Sequence, residues 1–241
     1  MSEVILGIDT STCVCVGLAR DGEIISSVAV GGSRSHAELL TPTIAQELAR
    51  CSLTPQDLTA IAVGMGPGPF TGLRAGVASA EVMAHTLGIP LYRVCSLDIL
   101  GITWASGLRP GESLIACTDA RRKELYWAVY GPGGRRLEGP FVTPGSDLPD
   151  LACVGPGILL YPDAGAGIAG SMRAWLDEKA DPEQSGTIDA GMLAAYAHTL
   201  EPAGVEPMYL RHADATASFS VKSVLPGVDH RVRSAGPVGL R

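Results

Sequence analysis

The stretch ILGIDTSTCVCVGLARDG, residues 5–22, contains two apolar runs with a short polar turn between them. The runs Val4–Asp9 and Thr12–Arg20 are rich in β-branched and other apolar residues, which predicts two strands. Asp21-Gly22 follows at once, and this dipeptide is a strong signal for a tight hairpin turn. We therefore predict a third strand over residues 23–30 and a chain that begins with three strands joined by turns.

The sequence up to residue 106 then alternates between helical and strand patterns. Ser35-His-Ala-Glu38 has the spacing of a capping box, and apolar residues recur every four positions from Leu40 to Leu48. Residues 60–63 and 91–95 are short apolar runs that predict buried strands. This alternation indicates an α/β lobe. The predicted helices cover residues 35–50, 72–87 and 96–105.

Strand patterns followed by helical patterns begin again after residue 107 and predict a second, smaller α/β lobe. Its predicted strands lie at residues 114–119 and 125–130 and near Cys153, and its predicted helices at residues 165–178 and 189–199. Residues beyond 212 show no period. We therefore divide the chain into an N-terminal lobe, a C-terminal lobe and a flexible tail, which cover residues 1–106, 107–212 and 213–241.

The composition is that of a globular protein, with 46% hydrophobic and 18% charged residues among 241. The net charge of -7 argues against unaided binding to nucleic acid, because that affinity comes largely from Lys and Arg that neutralise phosphates. None of the six cysteines forms a C-x-x-C pair, and Cys13 and Cys15 are expected to share one face of a strand as packing residues. No apolar run is long enough to span a bilayer and no charged leader is visible, so we expect a cytoplasmic protein without membrane contact.

Glycines crowd the loop GMGPGPFTGLRAG, residues 64–76, in the manner of a phosphate-binding loop. A P-loop requires a lysine directly after its last glycine, but here Leu73 follows Gly72. Pro67 and Pro69 also remove two N–H groups that a phosphate cradle would need. The sequence therefore predicts a structural turn at the start of a helix.

Gly72, Gly76, Ala80 and Ala84 recur every four residues and predict a smooth stripe on one face of that helix. A glycine inside a helix costs about 1 kcal/mol relative to alanine, so a close neighbour should compensate for Gly76. The close neighbour of the stripe could equally be another element of the same chain or a partner protein.

The residues Asp9-Thr10-Ser11-Thr12 form the turn between the first two predicted strands. Actin-like ATPases have their first phosphate-binding loop at this place, where an acidic residue holds Mg²⁺ through water and hydroxyl groups face phosphate. The alternative is a turn stabilised by its own hydrogen-bonding side chains. Asp9, Ser11 and Thr12 are therefore candidates for a vestigial phosphate site.

Four segments together resemble the TsaB (YeaZ) family, namely ILGIDTSTCVCVGLARDG, SHAELLTP, IAVGMGPGPFTGLRAGVASA and GIPLYRVCSLDIL. The resemblance is dense over residues 4–100, and GPGPFTGLR is its most specific part. That family belongs to the superfamily of actin, sugar kinases and Hsp70. The resemblance therefore implies an α/β fold of two actin-like (ASKHA, ribonuclease H-like) lobes with mixed sheets flanked by helices.

Members of the TsaB family are non-catalytic relatives of TsaD and form a heterodimer with it. Together with the ATPase TsaE, the pair transfers a threonylcarbamoyl group from its adenylate to an adenosine beside the anticodon of certain tRNAs. The resemblance implies that this chain docks and supports TsaD, and that it meets tRNA only through the complex. It implies no catalytic residue and no cofactor, apart from a vestige of the nucleotide site.

TsaD holds a metal with two histidines four residues apart, and Ser96 and Leu100 stand at the matching positions of this chain. Serine is a poor ligand and leucine cannot bind a metal, so we expect no metal site. The motif H-E-x-x-H is absent, since His36-Ala-Glu38 lacks the second histidine, and a zinc peptidase of that type is not expected.

By the same resemblance, the helices over residues 35–50 and 72–87 form the surface that binds TsaD through a helix bundle. Two copies of the chain could pair through this surface when TsaD is absent. The residues expected there are His36, Leu40, Ile44, Gly72, Gly76, Ala80, Met83 and Ala84.

Two other functions remain open from the sequence. A small ATPase or sugar kinase of the same superfamily would need further nucleotide loops in the C-terminal lobe, for which Gly155-Pro-Gly157 is the only candidate. A homodimeric scaffold without enzymatic activity would use the same smooth helix. The basic cluster Arg121-Arg122-Lys123 either contacts tRNA phosphate within a complex or forms a solvated hairpin end.

Overall fold

A computed structural model describes residues 2–31, 36–178 and 187–211. The predicted tail over residues 213–241 lies outside the described residues. The first three strands match the sequence prediction closely, as do the three helices and two strands that follow them. The elements of this first half are β1 (Val4–Asp9), β2 (Val14–Arg20), β3 (Glu23–Val30), α1 (His36–Arg50), β4 (Ala60–Gly64), α2 (Phe70–Leu87), β5 (Leu91–Val94) and α3 (Ser96–Ala105).

The first five strands form one mixed sheet in the order β3-β2-β1-β4-β5. The hairpin neighbours β1, β2 and β3 pair antiparallel, whereas β4 lies parallel to β1 and β5 lies parallel to β4. Helical crossovers join the parallel strands, as parallel pairing requires. The carboxyl ends of β1 and β4 therefore meet at one edge of the sheet, and the glycine loop begins there.

The second sheet has four strands in the order β8-β7-β6-β9. The hairpin strands β6, β7 and β8 pair antiparallel, and the short β9 lies parallel to β6. The elements of this half are β6 (Leu114–Arg121), β7 (Glu124–Tyr130), β8 (Arg136–Pro144), β9 (Cys153–Val154), α4 (Pro156–Leu160), α5 (Gly170–Glu178) and α6 (Ala190–Tyr196).

The first sheet is covered on both faces. Leu6 and Ile8 of β1 pack with apolar residues of α1 and α2 in one core cluster. On the opposite face, α6 lies directly on the backbone of β1 and β2. A Cβ atom at Gly7 would lie 2.1 Å from the carbonyl oxygen of Ala190, so this approach requires glycine. The helix that closes the first sheet thus comes from far along the chain.

The helix α3 joins the two sheets and is almost completely buried, with Leu97, Ile99 and Leu100 in the larger core cluster. A Cβ atom at Gly101 would lie 2.3 Å from the ring of Tyr130 in β7, so α3 packs closely on the second sheet as well. The predicted fold class, an α/β fold with two mixed sheets flanked by helices, is confirmed. The division at residue 106 remains a prediction, because α6 belongs to the second part of the sequence but covers the first sheet.

Two predicted helices are shorter in the structure. The helix predicted over residues 165–178 begins only at Gly170, and the one predicted over 189–199 covers Ala190–Tyr196. Asp189 is the N-cap of α6, since its carboxylate accepts hydrogen bonds from the backbone N–H groups of Gly191 and Met192. None of the described helices combines the length and the apolar character that crossing a membrane requires.

Candidate functional site

The carboxylate of Asp9 lies at the end of β1 and is completely buried. Its Oδ1 atom accepts hydrogen bonds from the backbone N–H of Ser11 at 2.7 Å and from the hydroxyl of Ser11 at 2.6 Å. Its Oδ2 atom accepts a hydrogen bond from the hydroxyl of Ser96. Both carboxylate oxygens therefore have partners within the chain, as a buried charge requires.

Ser96 links this turn to the glycine loop. Its Oγ accepts a hydrogen bond from the backbone N–H of Gly66 at 3.0 Å, and its own N–H donates to the carbonyl of Gly66 at 2.8 Å. Gly64 leaves the room for this network, because a Cβ there would lie 1.7 Å from Asp9 Oδ2. The residue that stands where the resemblance expects a metal-binding histidine thus points inward and holds Asp9.

The glycine loop closes over the Asp9 turn. A Cβ atom at Gly68 would lie 2.9 Å from the Cα of Ser11, so the two backbones are in direct contact. Ser11 is 3% exposed, whereas Thr12 keeps a partly exposed side chain. Asp9 and Ser11 are thus joined to each other by hydrogen bonds and surrounded by atoms of the chain itself. The loop acts as a turn that covers this site.

The small-residue stripe of α2 faces the same turn. Thr10 is buried and donates a hydrogen bond from its hydroxyl to the carbonyl of Gly72 at 2.8 Å. A Cβ atom at Gly76 would lie 2.2 Å from Thr10 Oγ1, and Ala80 and Ala84 are buried as well. The close neighbour of the stripe is thus an internal one.

The predicted docking residues therefore need a correction. Gly72, Gly76, Ala80 and Ala84 point into the protein because their small size admits the β1–β2 turn and the sheet, so their side chains do not form an exposed surface. Leu40 is 1% exposed and belongs to the same core. The side chain of His36 lies outside the described residues. Ile44 and Met83, in contrast, reach the rim of a surface groove.

That surface groove, which we call the α1–α2 groove, has a volume of about 670 Å³. None of the described residues that line it carries a charge, and Val82, one of them, is 66% exposed. Sequence reasoning missed it because α2 is apolar on more than one side, and only the regular spacing of Ala78, Val82 and Thr86 could have revealed a second face. Its lining comprises Thr41, Ile44, Ala45, Leu48, Pro55, Gln56, Ala78, Ser79, Val82, Met83, Thr86 and Leu87.

A second cavity of about 770 Å³ lies beside α3, α6 and the turn between β7 and β8. Burial raises the pKa of Asp98 on its wall, while the guanidinium of Arg136 and the hydroxyl of Tyr130 act in the opposite direction. The Tyr130 hydroxyl donates to Asp98 at 2.7 Å, and Arg136 also pairs with Glu201 at 3.3 Å. These contacts hold α3 against the second sheet, which indicates a structural role.

The basic cluster Arg121-Arg122-Lys123 occupies the tip of the hairpin between β6 and β7. All three residues adopt left-handed backbone conformations, with φ of 65°, 54° and 65°. The carboxylate of Asp119 lies 3.3 Å from the guanidinium of Arg121 and neutralises part of the charge. The described residues contain no group of three or more His, Cys, Asp or Glu side chains that could hold a metal ion.

Comparisons with known proteins agree with this geometry. A family model described as TsaD, tRNA N6-adenosine threonylcarbamoyltransferase, matches residues 25–142. An uncharacterized protein of Mycobacterium tuberculosis (strain ATCC 25618 / H37Rv) is 43% identical over 88% of this chain and 93% of its own length. The tRNA threonylcarbamoyladenosine biosynthesis protein TsaB of Bacillus subtilis (strain 168) is 36% identical, over 52% of this chain and 54% of that protein. The alignment thus spans about half of that relative.

Among solved structures, YeaZ from Pseudomonas aeruginosa is similar to nearly the whole described chain. The TM-score is 0.66 at 26% identity, and the match covers 86% of this chain and all of that one. The likeness therefore extends through both sheets, beyond the part that aligns with the Bacillus relative. On sequence and structure together, the chain belongs to the TsaB (YeaZ) family.

Proposed function

We propose that this protein is a non-catalytic subunit in the formation of N6-threonylcarbamoyladenosine in tRNA, and that it binds TsaD through the α1–α2 groove. The names of its relatives support the pathway, because proteins of 36% and 34% identity are named for the biosynthesis of this nucleoside. The proposal places the protein in the cytoplasm, in a complex with TsaD and the ATPase TsaE. Contact with tRNA occurs only through that complex.

The observation that carries the proposal is the apolar groove lined by residues of α1 and α2. Apolar grooves without charged walls are the usual binding sites for amphipathic helices of partner proteins. Val82 lines this groove and is 66% exposed, and an exposed apolar side chain in an apolar groove is typical of a surface that a partner covers. Two helices from this chain and two from a partner would then form a four-helix contact. The same groove would join two copies of the chain in the absence of TsaD.

The buried Asp9 turn supports a non-catalytic role. Asp9 and Ser11 use their polar atoms within the chain, and the backbone at Gly68 packs directly against Ser11. The groups that a kinase or ATPase would direct at a nucleotide are thereby engaged. We propose that the chain works without a nucleotide or metal cofactor of its own.

The test is co-purification with TsaD from the same organism, followed by an assay for the modified adenosine in the presence of TsaE. Val82→Glu should lower the affinity for TsaD by at least about tenfold, because it would bury an unpaired carboxylate at the contact. Val205→Glu is the matched control, since Val205 is 74% exposed and lies outside the groove. It should bind normally.

The outcomes separate the competing functions. Equal binding of both variants would place the docking surface elsewhere on the molecule. A chain that binds and hydrolyses ATP without any partner would favour the ATPase or kinase alternative. A chain that pairs only with itself and leaves the modification unaffected would favour a homodimeric scaffold.

A further inference from the structure

Cys13 and Cys15 lie side by side where β2 begins. Side chains two residues apart in an extended chain point to the same face, and the two Sγ atoms are 3.4 Å apart. Both are free thiols in this structure. Their face of the sheet is the one that α6 covers, so the pair lies at the edge of the larger core cluster.

The two thiols have different environments. Cys13 is partly exposed, whereas Cys15 is completely buried. The hydrogen bond from Cys15 lowers the pKa of Cys13, and the same hydrogen bond together with burial raises the pKa of Cys15 well above its usual value. Cys13 is therefore the thiol that ionises first, and the thiolate is the nucleophilic form. The thiol that ionises first thus belongs to the more exposed of the two residues, and its neighbour is completely buried.

We propose that Cys13 and Cys15 form an oxidation site that reacts with hydroperoxides, with Cys13 as the attacking thiol and Cys15 as the resolving thiol. In the first step Cys13 Sγ attacks one oxygen of hydrogen peroxide. An S–O bond forms, the O–O bond breaks, and the departing hydroxide takes up a proton to become water. This step leaves a sulfenic acid on Cys13.

In the second step Cys15 Sγ attacks the sulfenic sulfur. The S–S bond forms, the S–O bond breaks, and a second water leaves with the proton of the Cys15 thiol. Hydrogen peroxide gains two electrons, which the two thiols supply. The short distance between the sulfur atoms makes this second step faster than further oxidation of Cys13 by another peroxide.

The backbone couples this bond to the buried turn. Cys13 directly precedes β2, and its Sγ atom lies 3.4 Å from that of Cys15, so a disulfide with an S–S length of about 2.0 Å requires the two sulfur atoms to approach by roughly 1.4 Å. Cys15 is the cross-strand neighbour of Asp9, so this movement occurs beside the end of β1 and the turn that follows it. Thiol–disulfide exchange with another thiol reduces the bond again, which makes the site reversible.

Mass spectrometry of the full chain tests the proposal. No Lys or Arg precedes Arg20, so Cys13 and Cys15 lie in one tryptic peptide, residues 1–20. After equimolar hydrogen peroxide and alkylation of the remaining thiols, this peptide should lose the mass of two hydrogen atoms and carry no alkyl group. Cys51 is the internal control, because it is a half-buried thiol without a neighbouring cysteine in contact and lies in a different peptide.

Variants identify the roles of the two sulfurs. Cys15→Ser should stop at the sulfenic acid, which dimedone traps on Cys13, and Cys13→Ser should slow oxidation of this peptide at least about tenfold, because the remaining thiol is buried. Cys51→Ser should leave the disulfide unchanged. The proposal is wrong if Cys13 is oxidised no faster than Cys51, or if the peptide retains two alkylated cysteines. Mass spectrometry detects the disulfide between Cys13 and Cys15 whether or not oxidation destabilises the fold.

Discussion

The two faces of α2 both carry small or apolar residues at every fourth position, but they have opposite surroundings. The inner face, with Gly72, Gly76, Ala80 and Ala84, lies against the β1–β2 turn and the first sheet. The outer face presents Ala78, Val82 and Thr86 to the α1–α2 groove. The comparison teaches that small residues at regular spacing indicate close packing but do not identify the neighbour. Here the face with the smallest residues is internal, and the apolar face with Val82 lines the surface groove where we propose that a partner binds.

The largest effect is expected at Gly76. A leucine there would meet Thr10, whose hydroxyl lies within 2.2 Å of the Cβ position, so Gly76→Leu should lower the free energy of unfolding by about 3 kcal/mol. This is the opposite of what an exposed helix would show, where leucine stabilises. Urea denaturation measures the change. Ala78→Leu on the exposed outer face is the control and should leave the stability within about 0.5 kcal/mol of the wild type. Equal stability of both variants would contradict the assignment of the two faces.

An intermediate effect is expected at Ser96. Ser96→Ala removes the donor to Asp9 and the acceptor for the N–H of Gly66, both in a buried site, which should cost about 2 kcal/mol of stability. Ser79→Ala provides the matched control, because that hydroxyl only donates to the carbonyl of Ala75 within α2 at the surface. Thermal unfolding of the two variants gives the difference. A neutral Ser96→Ala variant would show that the turn does not depend on this network.

The smallest effect is expected at Thr12, the partly exposed member of the turn. Thr12→Ala should change the stability by less than about 0.5 kcal/mol and should leave formation of the modified adenosine unchanged. Calorimetry with ATP should likewise show no difference from the wild type. A strong loss of modification in a normally folded, normally associated variant would mean that the turn still binds a ligand, and the contrast between a closed inner site and an open outer groove would fail.

The sequence predicted the elements of the fold better than their contacts. Local patterns predict β1 to β5, the helices between them and a structural turn in the loop at Gly66. Turns, caps and apolar periods depend on residues that are close together in the sequence. Gly76 packs against Thr10, and the carboxylate of Asp9 accepts a hydrogen bond from Ser96. No local sequence pattern connects residues that are so far apart in the chain. The groove was missed for a related reason. The sequence alone does not distinguish an apolar residue such as Val82 that packs in the core of its own chain from one that packs against another chain.

The position of α6 has a consequence for synthesis on the ribosome. Gly7 and Gly17 accept the backbone of a helix that begins at Ala190, so one face of the first sheet has no cover until most of the chain has emerged. At translation rates of about 5–20 residues per second, the delay between the end of the first five strands and the arrival of α6 is roughly 5–20 s. During this interval, the face of the first sheet that α6 later covers remains exposed to solvent in the nascent chain. A fragment that stops near residue 106 would keep that face exposed permanently, which makes it a substrate for chaperones rather than an independent domain.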